Sequence, residues 1–335
     1  MSYDNYSIYC PDCQEGNVLT DVSAYGHERP WAAQKELARR LSRWYRYVDD
    51  DKANRLETCA DWLGFRRKFE GGLALSKANF CRVRLCPMCQ WRRALKIHGQ
   101  MCRVFGALEG DGYGYVKMVL TVPNCTRDNL TETLDRLQEG FHRLIKYKDV
   151  RKIVKGYYKA LEITVNHADS LHPHIHAILA VNASYFTSRS YLRQEIWRDL
   201  WEQAVDFQPY VNAQGILVEH LQLNVGRLKI REGQTITDAL KEYTKYTVKA
   251  GEIVGDQEEP TDEGVALLAA LDGALNKRKF MTLGGVVKDA HKALNLSDIN
   301  DDGDLVRLDR DDLTDTEKHD IYYIWRSGVY ITWQP

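Results

Sequence analysis

Leu171-His172-Pro173-His174-Ile175-His176-Ala177-Ile178-Leu179 alternates imidazoles with apolar side chains. Alternation at period two is the signature of a β-strand, whose side chains point to opposite faces in turn. His172, His174 and His176 therefore share one face, and Ile175, Ala177 and Leu179 the other. Neutral imidazoles two residues apart on a rigid strand can meet one divalent ion. With three of the chain's ten histidines on a single face, a metal is favoured over a cluster of surface histidines.

Just upstream, Tyr158-Lys159-Ala160-Leu161-Glu162-Ile163-Thr164-Val165-Asn166 alternates as well. Leu161, Ile163 and Val165 lie on one side, Ala160, Glu162 and Thr164 on the other. The short loop from Asn166 to Leu171 makes the two stretches an antiparallel pair. Glu162 can then stand opposite the histidines and complete a two-His, one-carboxylate site with positions open for water and substrate oxygens. His172 is either a third ligand in place of Glu162 or an orienting neighbour.

Further on, Lys241-Glu242-Tyr243-Thr244-Lys245-Tyr246-Thr247-Val248-Lys249 continues a run with helical periodicity from about Thr237. One helix would carry Glu242, Tyr246 and Lys249 on a common face. A phenol is a weak nucleophile at neutral pH, but it becomes competent against a phosphodiester polarised by a divalent ion. A nearby lysine can hold the phosphate charge, and a carboxylate one turn away can activate water. Taken alone, the same residues also describe an ordinary amphipathic helix.

The His-hydrophobe-His strand and the downstream Tyr-x-x-Lys together resemble the HUH endonuclease superfamily. In detail they resemble the one-tyrosine replication initiators of rolling-circle plasmids. Further motifs match in order: Leu120-Thr121-Val122-Pro123-Asn124, the cysteine-rich segment Phe80 to Arg93, Glu242 four residues before Tyr246, Thr282-Leu283-Gly284-Gly285-Val286-Val287-Lys288, and Gly303-Asp304-Leu305. The resemblance covers roughly Arg29 to Asp312. It implies that His174, His176 and Glu162 hold Mg²⁺ or Mn²⁺, and that Tyr246 attacks a scissile phosphate to leave a 5′-phosphotyrosine and a free 3′ primer. Lys249 would bind phosphate, and Glu242 would activate water to end the cycle. Tyr243 is a rival nucleophile, since it lies close to Tyr246 around a helix; a site using both tyrosines would resemble certain transposases.

Cysteine usage adds a second metal. In a cytosolic protein Cys-x2-Cys pairs mark metal sites more often than disulfides. Cys86-Pro87-Met88-Cys89 is a zinc knuckle, with thiolates spaced to chelate one tetrahedral ion. Two completions compete: Cys59 with Cys81, or Cys10-Pro11-Asp12-Cys13 as a second knuckle. The pattern of the resembled family selects Cys59, Cys81, Cys86 and Cys89, a closed and therefore structural zinc site. Cys102 and Cys125 read as buried thiols.

The chain has 335 residues and 44% hydrophobic content, enough for one large domain or two. The start, Met1-Ser2-Tyr3-Asp4-Asn5, lacks the basic and apolar run of a signal peptide. No stretch reaches the roughly eighteen apolar residues of a membrane span, so a cytoplasmic protein without a membrane partner is expected. No Gly-x4-Gly-Lys-Ser/Thr loop occurs, so a helicase motor would be another protein. The net charge of −1 conceals an asymmetry: Arg29 to Lys96 carries 17 Lys/Arg against 7 Asp/Glu, and Asn295 to Asp320 carries 10 acidic against 3 basic residues. The basic front is the expected DNA-facing part.

The succession predicts an α+β, ferredoxin-like antiparallel sheet backed by helices, the fold the resemblance also implies. Three regions are expected: a basic, zinc-binding, helical and loop-rich DNA-contacting region at 1–110, the endonuclease domain at 111–255, and a C-terminal region at 256–335 with an acidic loop and a packing or origin-binding role. Plasmid origin DNA, both duplex and single-stranded at the nick, is the expected partner, with host helicase and DNA polymerase; a homodimer fits the same reading. Two other classes share parts of this pattern: a transposase or relaxase with the same chemistry, and a non-catalytic zinc-dependent repressor needing only the front.

Overall fold

The computed structural model describes the whole chain apart from residues 1–16, 24–25, 168–169, 213, 229–235, 241–242, 245–247, 256, 258, 299, 301–303, 309–312, 314 and 334–335. Cys10, Cys13, Glu242 and Tyr246 lie outside the described residues, as does much of the acidic stretch near Gly303.

Helix α1 (Trp31–Tyr45) opens the described fold and buries Trp31, Leu41, Trp44 and Tyr45. Helix α2 (Asp50–Glu57) starts at Asp49, whose carboxylate accepts from the Lys52 N–H at 3.0 Å, with Asp50 and Asp51 favouring the positive end of the helix dipole. Strands β1 (Trp62–Arg67) and β2 (Leu73–Ala78) form a hairpin. Helix α3 (Pro87–Ala107) follows, with Pro87 at its first turn, where a missing N–H costs nothing.

The central sheet then begins with β3 (Tyr113–Thr121), followed by α4 (Leu130–Lys146), α5 (Lys148–Ile153), β4 (Val154–His167) and β5 (Ser170–Asn182). Helix α6 (Gln194–Ala204), the small hairpin β6 (Tyr210–Val211) and β7 (Leu217–Val218), and strand β8 (Leu223–Arg227) complete a β-α-β-β-α-β succession. Helix α7 (Ile236–Leu240), α8 (Ala250–Val254), α9 (Asp262–Leu275), β9 (Met281–Gly284) and α10 (Gly285–Ala293) lead to the terminal hairpin β10 (Ile321–Arg326) and β11 (Val329–Trp333). The five-stranded sheet runs β8-β3-β5-β4-β9, antiparallel at every pairing.

Its two faces are covered differently. Leu161, Ile163, Ile175, Ala177 and Leu179 are buried on the face backed by α4 and α6. Helix α4 supplies Leu130, Leu134, Leu137, Phe141 and Leu144, spaced at turns of the helix, and Phe141 meets Tyr157 edge to face. On the opposite face Phe105 of α3 packs against Tyr115 of β3. That face carries Glu162, His174 and His176.

The N-terminal region departs from the helical and loop-rich expectation. Its strands β1 and β2 belong to a second sheet, in the order β11-β10-β1-β2. Trp62 pairs with Ile324 and Phe65 with Ile321, so the expected regions 1–110 and 256–335 meet in one structure. Such pairing leaves no local trace in sequence, since either strand alone reads as an edge hairpin.

Charge follows the same path. Asp320 takes Arg66 at 2.9 Å and Lys77 at 2.9 Å. Arg92 is wholly buried, with its guanidinium over Trp31, and donates to the carbonyls of Leu305 and Val306. Lys35, also buried, donates to the carbonyls of Glu57 and Cys59 and to Asp61. Several cations of the basic front thus hold the fold, while Arg39 and Arg46 remain at the surface of α1 with side chains about two-fifths exposed.

Candidate active site

Register builds the first cluster. Glu162 on β4 stands opposite His174 on β5, Ala160 opposite His176, and Thr164 opposite His172. Paired residues on antiparallel strands project to one face, so the alternation in each strand places the carboxylate among the imidazoles. His174 Nε2 and His176 Nε2 lie 3.1 Å apart, and Glu162 Oε2 lies 2.9 Å from His176 Nε2 and 3.5 Å from His174 Nε2. The three side chains offer ligand atoms that all fall within 4.8 Å of one another.

The tautomer of His174 is set by its backbone. Its Nδ1 donates to the His172 carbonyl at 3.1 Å, which leaves Nε2 facing Glu162 and His176. Burial opposes the charge on Glu162, but hydrogen bonds and charge at His174 and His176 outweigh it and hold the carboxyl well below the usual range. Two imidazole nitrogens and one carboxylate oxygen form a donor set suited to a borderline divalent ion such as Mn²⁺, and acceptable to Mg²⁺ through the carboxylate. His172 is aimed elsewhere: its Nδ1 donates to Asn124 Oδ1 at 2.7 Å. It is a neighbour of the cluster, with its ring centroid 5.3 Å from that of His174.

After α7 the described residues Tyr243, Thr244, Val248 and Lys249 are not helical. Helix α7 ends at Leu240, the Tyr243 N–H returns to the Leu240 carbonyl at 3.0 Å, and Lys249 is extended, with φ −84° and ψ 118°. Tyr243, Thr244 and Val248 are aromatic or β-branched residues with poor helix propensity, which accounts for their non-helical conformation, one that periodicity alone did not predict. Tyr243 is buried, and its ring meets His176 edge to face at 5.7 Å. Lys249 is anchored to Glu252 at 3.0 Å. That hydrogen bond, the Glu252 charge and a weaker contribution from Glu162 raise its pKa, keeping the ammonium protonated.

Sequence reasoning missed two residues that support this turn. Tyr158, fully buried on the metal-bearing face of β4, donates its hydroxyl to the Tyr243 carbonyl at 3.0 Å. His98 of α3 places Nδ1 3.1 Å from Thr244 Oγ1. Tyr158 was visible as the residue four before Glu162 on the same strand face; nothing local points to His98.

The second cluster lies where α2, the 79–86 loop and the start of α3 converge. Cys59 Sγ is 3.7 Å from Cys89 Sγ and 3.6 Å from Cys86 Sγ, and Cys81 Sγ is 3.7 Å from Cys89 Sγ. Four sulfurs about 2.3 Å from a tetrahedral zinc sit about 3.8 Å from each other, so the thiols fit that ion. Backbone N–H groups of Cys81, Arg82 and Val83 donate to Cys59, Cys89 and Cys81 sulfurs at 3.3–3.4 Å, as thiolate acceptors require. Burial raises the pKa of Cys89, but bonds from the other three thiols and the Arg82 N–H prevail and lower it. The terminal hairpin closes over the site: Tyr330 donates to the Ala60 carbonyl at 2.7 Å. Cys102 and Cys125 are buried, outside the cluster.

Among the described residues no helix is long and apolar enough to cross a membrane.

Comparison with known proteins agrees with these features. A profile of the Rep_1 family, described as replication protein, matches residues 72–330. A protein named Protein rep from Bacillus amyloliquefaciens is 34% identical over 330 residues, covering 93% of this chain and 96% of that protein. Another Protein rep, from a Bacillus species, is 38% identical over 264 residues, covering 77% of this chain and 85% of its own length. One from Streptococcus pneumoniae is 29% identical over 322 residues, covering 93% of this chain and 94% of its own length. No solved structure matches.

Proposed function

We infer, since this chain belongs to the Rep_1 family of replication proteins as a plasmid rolling-circle replication initiator, that it starts replication by nicking one strand of the origin. The observation that carries this reading is the Glu162, His174 and His176 cluster with a tyrosine-bearing turn packed against His176. The ferredoxin-like order of the central sheet suits an HUH nuclease. Basic side chains support the DNA partner: Arg39, Arg43 and Arg46 line one cleft together with Glu57 and Glu259, and Lys277, Arg278 and Lys279 line another, and such side chains meet phosphates irrespective of sequence.

His174, His176 and Glu162 would hold Mg²⁺ or Mn²⁺, which when bound supplies Lewis-acid polarisation of the scissile phosphate. Tyr246 attacks phosphorus in line. A bond forms from the phenolic oxygen to the 5′-phosphate, the bond to the 3′-oxygen breaks, and the phenolic proton passes to solvent while the leaving oxygen takes one up. The phosphodiester energy is kept for rejoining. Lys249, held protonated by Glu252, stabilises the phosphate charge rather than acting as base. Glu242 activates water to close the cycle. Cys59, Cys81, Cys86 and Cys89 would bind a structural zinc. The freed 3′ end serves a DNA polymerase in the cytoplasm, a separate helicase unwinds the duplex, and a homodimer can act at one origin.

The packing of Tyr243 on His176 favours one competing reading, in which Tyr243 is the nucleophile and the enzyme works as a transposase or relaxase does. The deciding experiment incubates single-stranded origin DNA and Mn²⁺ with wild type, Tyr246→Phe and Tyr243→Phe, and scores a denaturant-resistant covalent adduct. Loss in Tyr246→Phe alone is expected. Loss in Tyr243→Phe alone overturns the assignment of Tyr246 and Glu242. No adduct from wild type on any segment of the plasmid strand leaves a zinc-dependent DNA-binding repressor.

A further inference from the structure

Next to the metal-ligand cluster lies a groove of about 580 Å³ whose lining contains no Lys, Arg, Asp or Glu among the described residues. One wall is the end of β3 and the loop after it, Thr121 to Asn124. A second is formed by His167 at the end of β4 with Ser170 and His172 of β5, and the third by the β6–β7 hairpin and the non-strand segment after it, from Tyr210 to Gln222. We propose that this groove reads the bases of the single strand immediately beside the scissile phosphate, and so sets nick-site specificity.

Position comes first. Thr121 pairs in register with His174, and His172 lies two residues before it on the same strand face. A nucleotide in the groove is therefore the immediate neighbour of one whose phosphate reaches Glu162, His174 and His176. The volume falls within the roughly 300–1,000 Å³ of small-molecule pockets, room for a splayed nucleotide.

The chemistry of the lining is next. Phosphate contacts position a strand and base contacts specify it. Phosphate-binding surfaces call for cations, as in the Arg39 and Lys277 clefts; this groove offers amides, imidazoles and hydroxyls instead. Amide side chains pair with base edges, and aromatic rings stack on base faces. The amide groups of Gln214 and Gln222 make no hydrogen bond within the described residues and are exposed, so both remain able to pair with a base. Tyr210 lies at the edge with more than a third of its surface exposed, and Val211 beside it, paired with Leu217 on the hairpin, is exposed as well, apolar surface for sugars and base faces.

The groove is also built rather than incidental. Glu202 of α6 accepts from His220 Nδ1 at 3.2 Å and from the Leu221 N–H at 2.8 Å. Trp201 donates to the Thr121 carbonyl at 2.7 Å, and Thr121 Oγ1 donates to the Gln222 carbonyl at 2.6 Å. Asn124 is held between His172 and Ser170. Walls fixed in this way can discriminate between bases, because a mismatched edge leaves a polar group unpaired.

The inference rests on the nicking reading for its strand, yet its test needs no cleavage. The full zinc-loaded chain is incubated with a pool of randomised single-stranded DNA without added Mg²⁺ or Mn²⁺, and the bound fraction is sequenced. Wild type should enrich particular bases at one or two adjacent positions. In Gln214→Ala/Gln222→Ala that preference should fall about 10-fold, within the 1–3 kcal/mol of a good base-edge pair, while affinity for oligo-dT falls less than about threefold. Tyr210→Ala should weaken oligo-dT binding itself, by about 5-fold or more. No base preference in wild type, or one retained in the double variant, overturns the proposal. So does a Val211→Asp/Leu217→Asp variant that turns a dimer into a monomer with base preference unchanged, which would make the hairpin a protein interface. Adduct formation with Mn²⁺ is scored separately, so failure of nicking and failure of base reading are told apart.

Discussion

Glu162 and His174 stand directly opposite each other on β4 and β5, so the ladder between two strands fixes the separation of carboxylate and imidazole. Removing any one of Glu162, His174 or His176 breaks a donor set whose members fit a single ion. Glu162→Ala, His174→Ala and His176→Ala should each weaken Mn²⁺ binding by at least about 10–100-fold, the scale associated with losing even an outer partner of a ligand. Titration followed by the electron paramagnetic resonance of free Mn²⁺ checks this, and unchanged affinity in all three would remove the metal from this face.

Tyr158 holds the Tyr243 carbonyl, and in the proposed reaction it would act through that residue. Tyr158→Phe leaves that buried carbonyl without its donor, at about 1–2 kcal/mol. Adduct formation should slow about 10-fold, with Mn²⁺ affinity as in wild type. A parallel loss of metal affinity would instead mean that β4 itself had moved.

The thiol cluster ties the end of α2 to the start of α3. Purified protein should contain one zinc per chain, released by a chromogenic chelator only as the fold opens. Cys86→Ser should lose the zinc and on the order of 5 kcal/mol, or roughly 10 °C of melting temperature. Full stability with no zinc present would refute a structural ion.

Lys159 is buried on the other face of β4, with its ammonium 4.9 Å from the Phe141 ring, and burial lowers its pKa to about 8. Below pH 8 the lysine is protonated whether folded or unfolded, and the cost of burying the charge is fully present. Between about pH 8 and its ordinary value the unfolded chain binds the extra proton, so this residue's contribution to stability improves as pH rises. Lys159→Met should therefore be more stable at pH 7, by at most about 3 kcal/mol, with the gain shrinking toward pH 10. Denaturant melts at several pH values test it, and a pH-independent difference would count against the depressed pKa.

Parts of this architecture were legible in the sequence because their signals are local. Period-two alternation in Tyr158 to Asn166 and Leu171 to Leu179 placed Glu162 and the histidines on one face, and the register between β4 and β5 agrees. Helix α4 carries a local signal of the same kind in its apolar stripe, Leu130, Leu134, Leu137, Phe141 and Leu144. The expected helix is absent at the described residues Tyr243, Thr244, Val248 and Lys249, where aromatic and β-branched side chains have weak helix propensity. Between Ile216 and Asn224 the chain passes from the β6–β7 hairpin to β8, a break that alternation does not mark. Cys59 reached the thiol cluster by resemblance, since nothing in its own neighbourhood points to a ligand. The Gly284-Gly285 pair stood out as a motif, and the structure supplies its reason. Gly285 has φ +53°, and a Cβ there would collide with the Lys155 carbonyl oxygen, so only glycine permits the turn from β9 into α10.

The sheet that joins β1 to β10 also orders events in time. Its partners are separated by more than two hundred residues of intervening chain, so on a ribosome β1 and the cysteine-bearing loop emerge long before the strand that pairs with them. Until β10 and β11 are released, β1 keeps an unpaired edge and the Ala60 carbonyl lacks its Tyr330 donor. Distant pairings of this kind form late and slowly. A nascent chain that has not yet released β10 and β11 would therefore hold its β1–β2 sheet and the loop beside it unfinished.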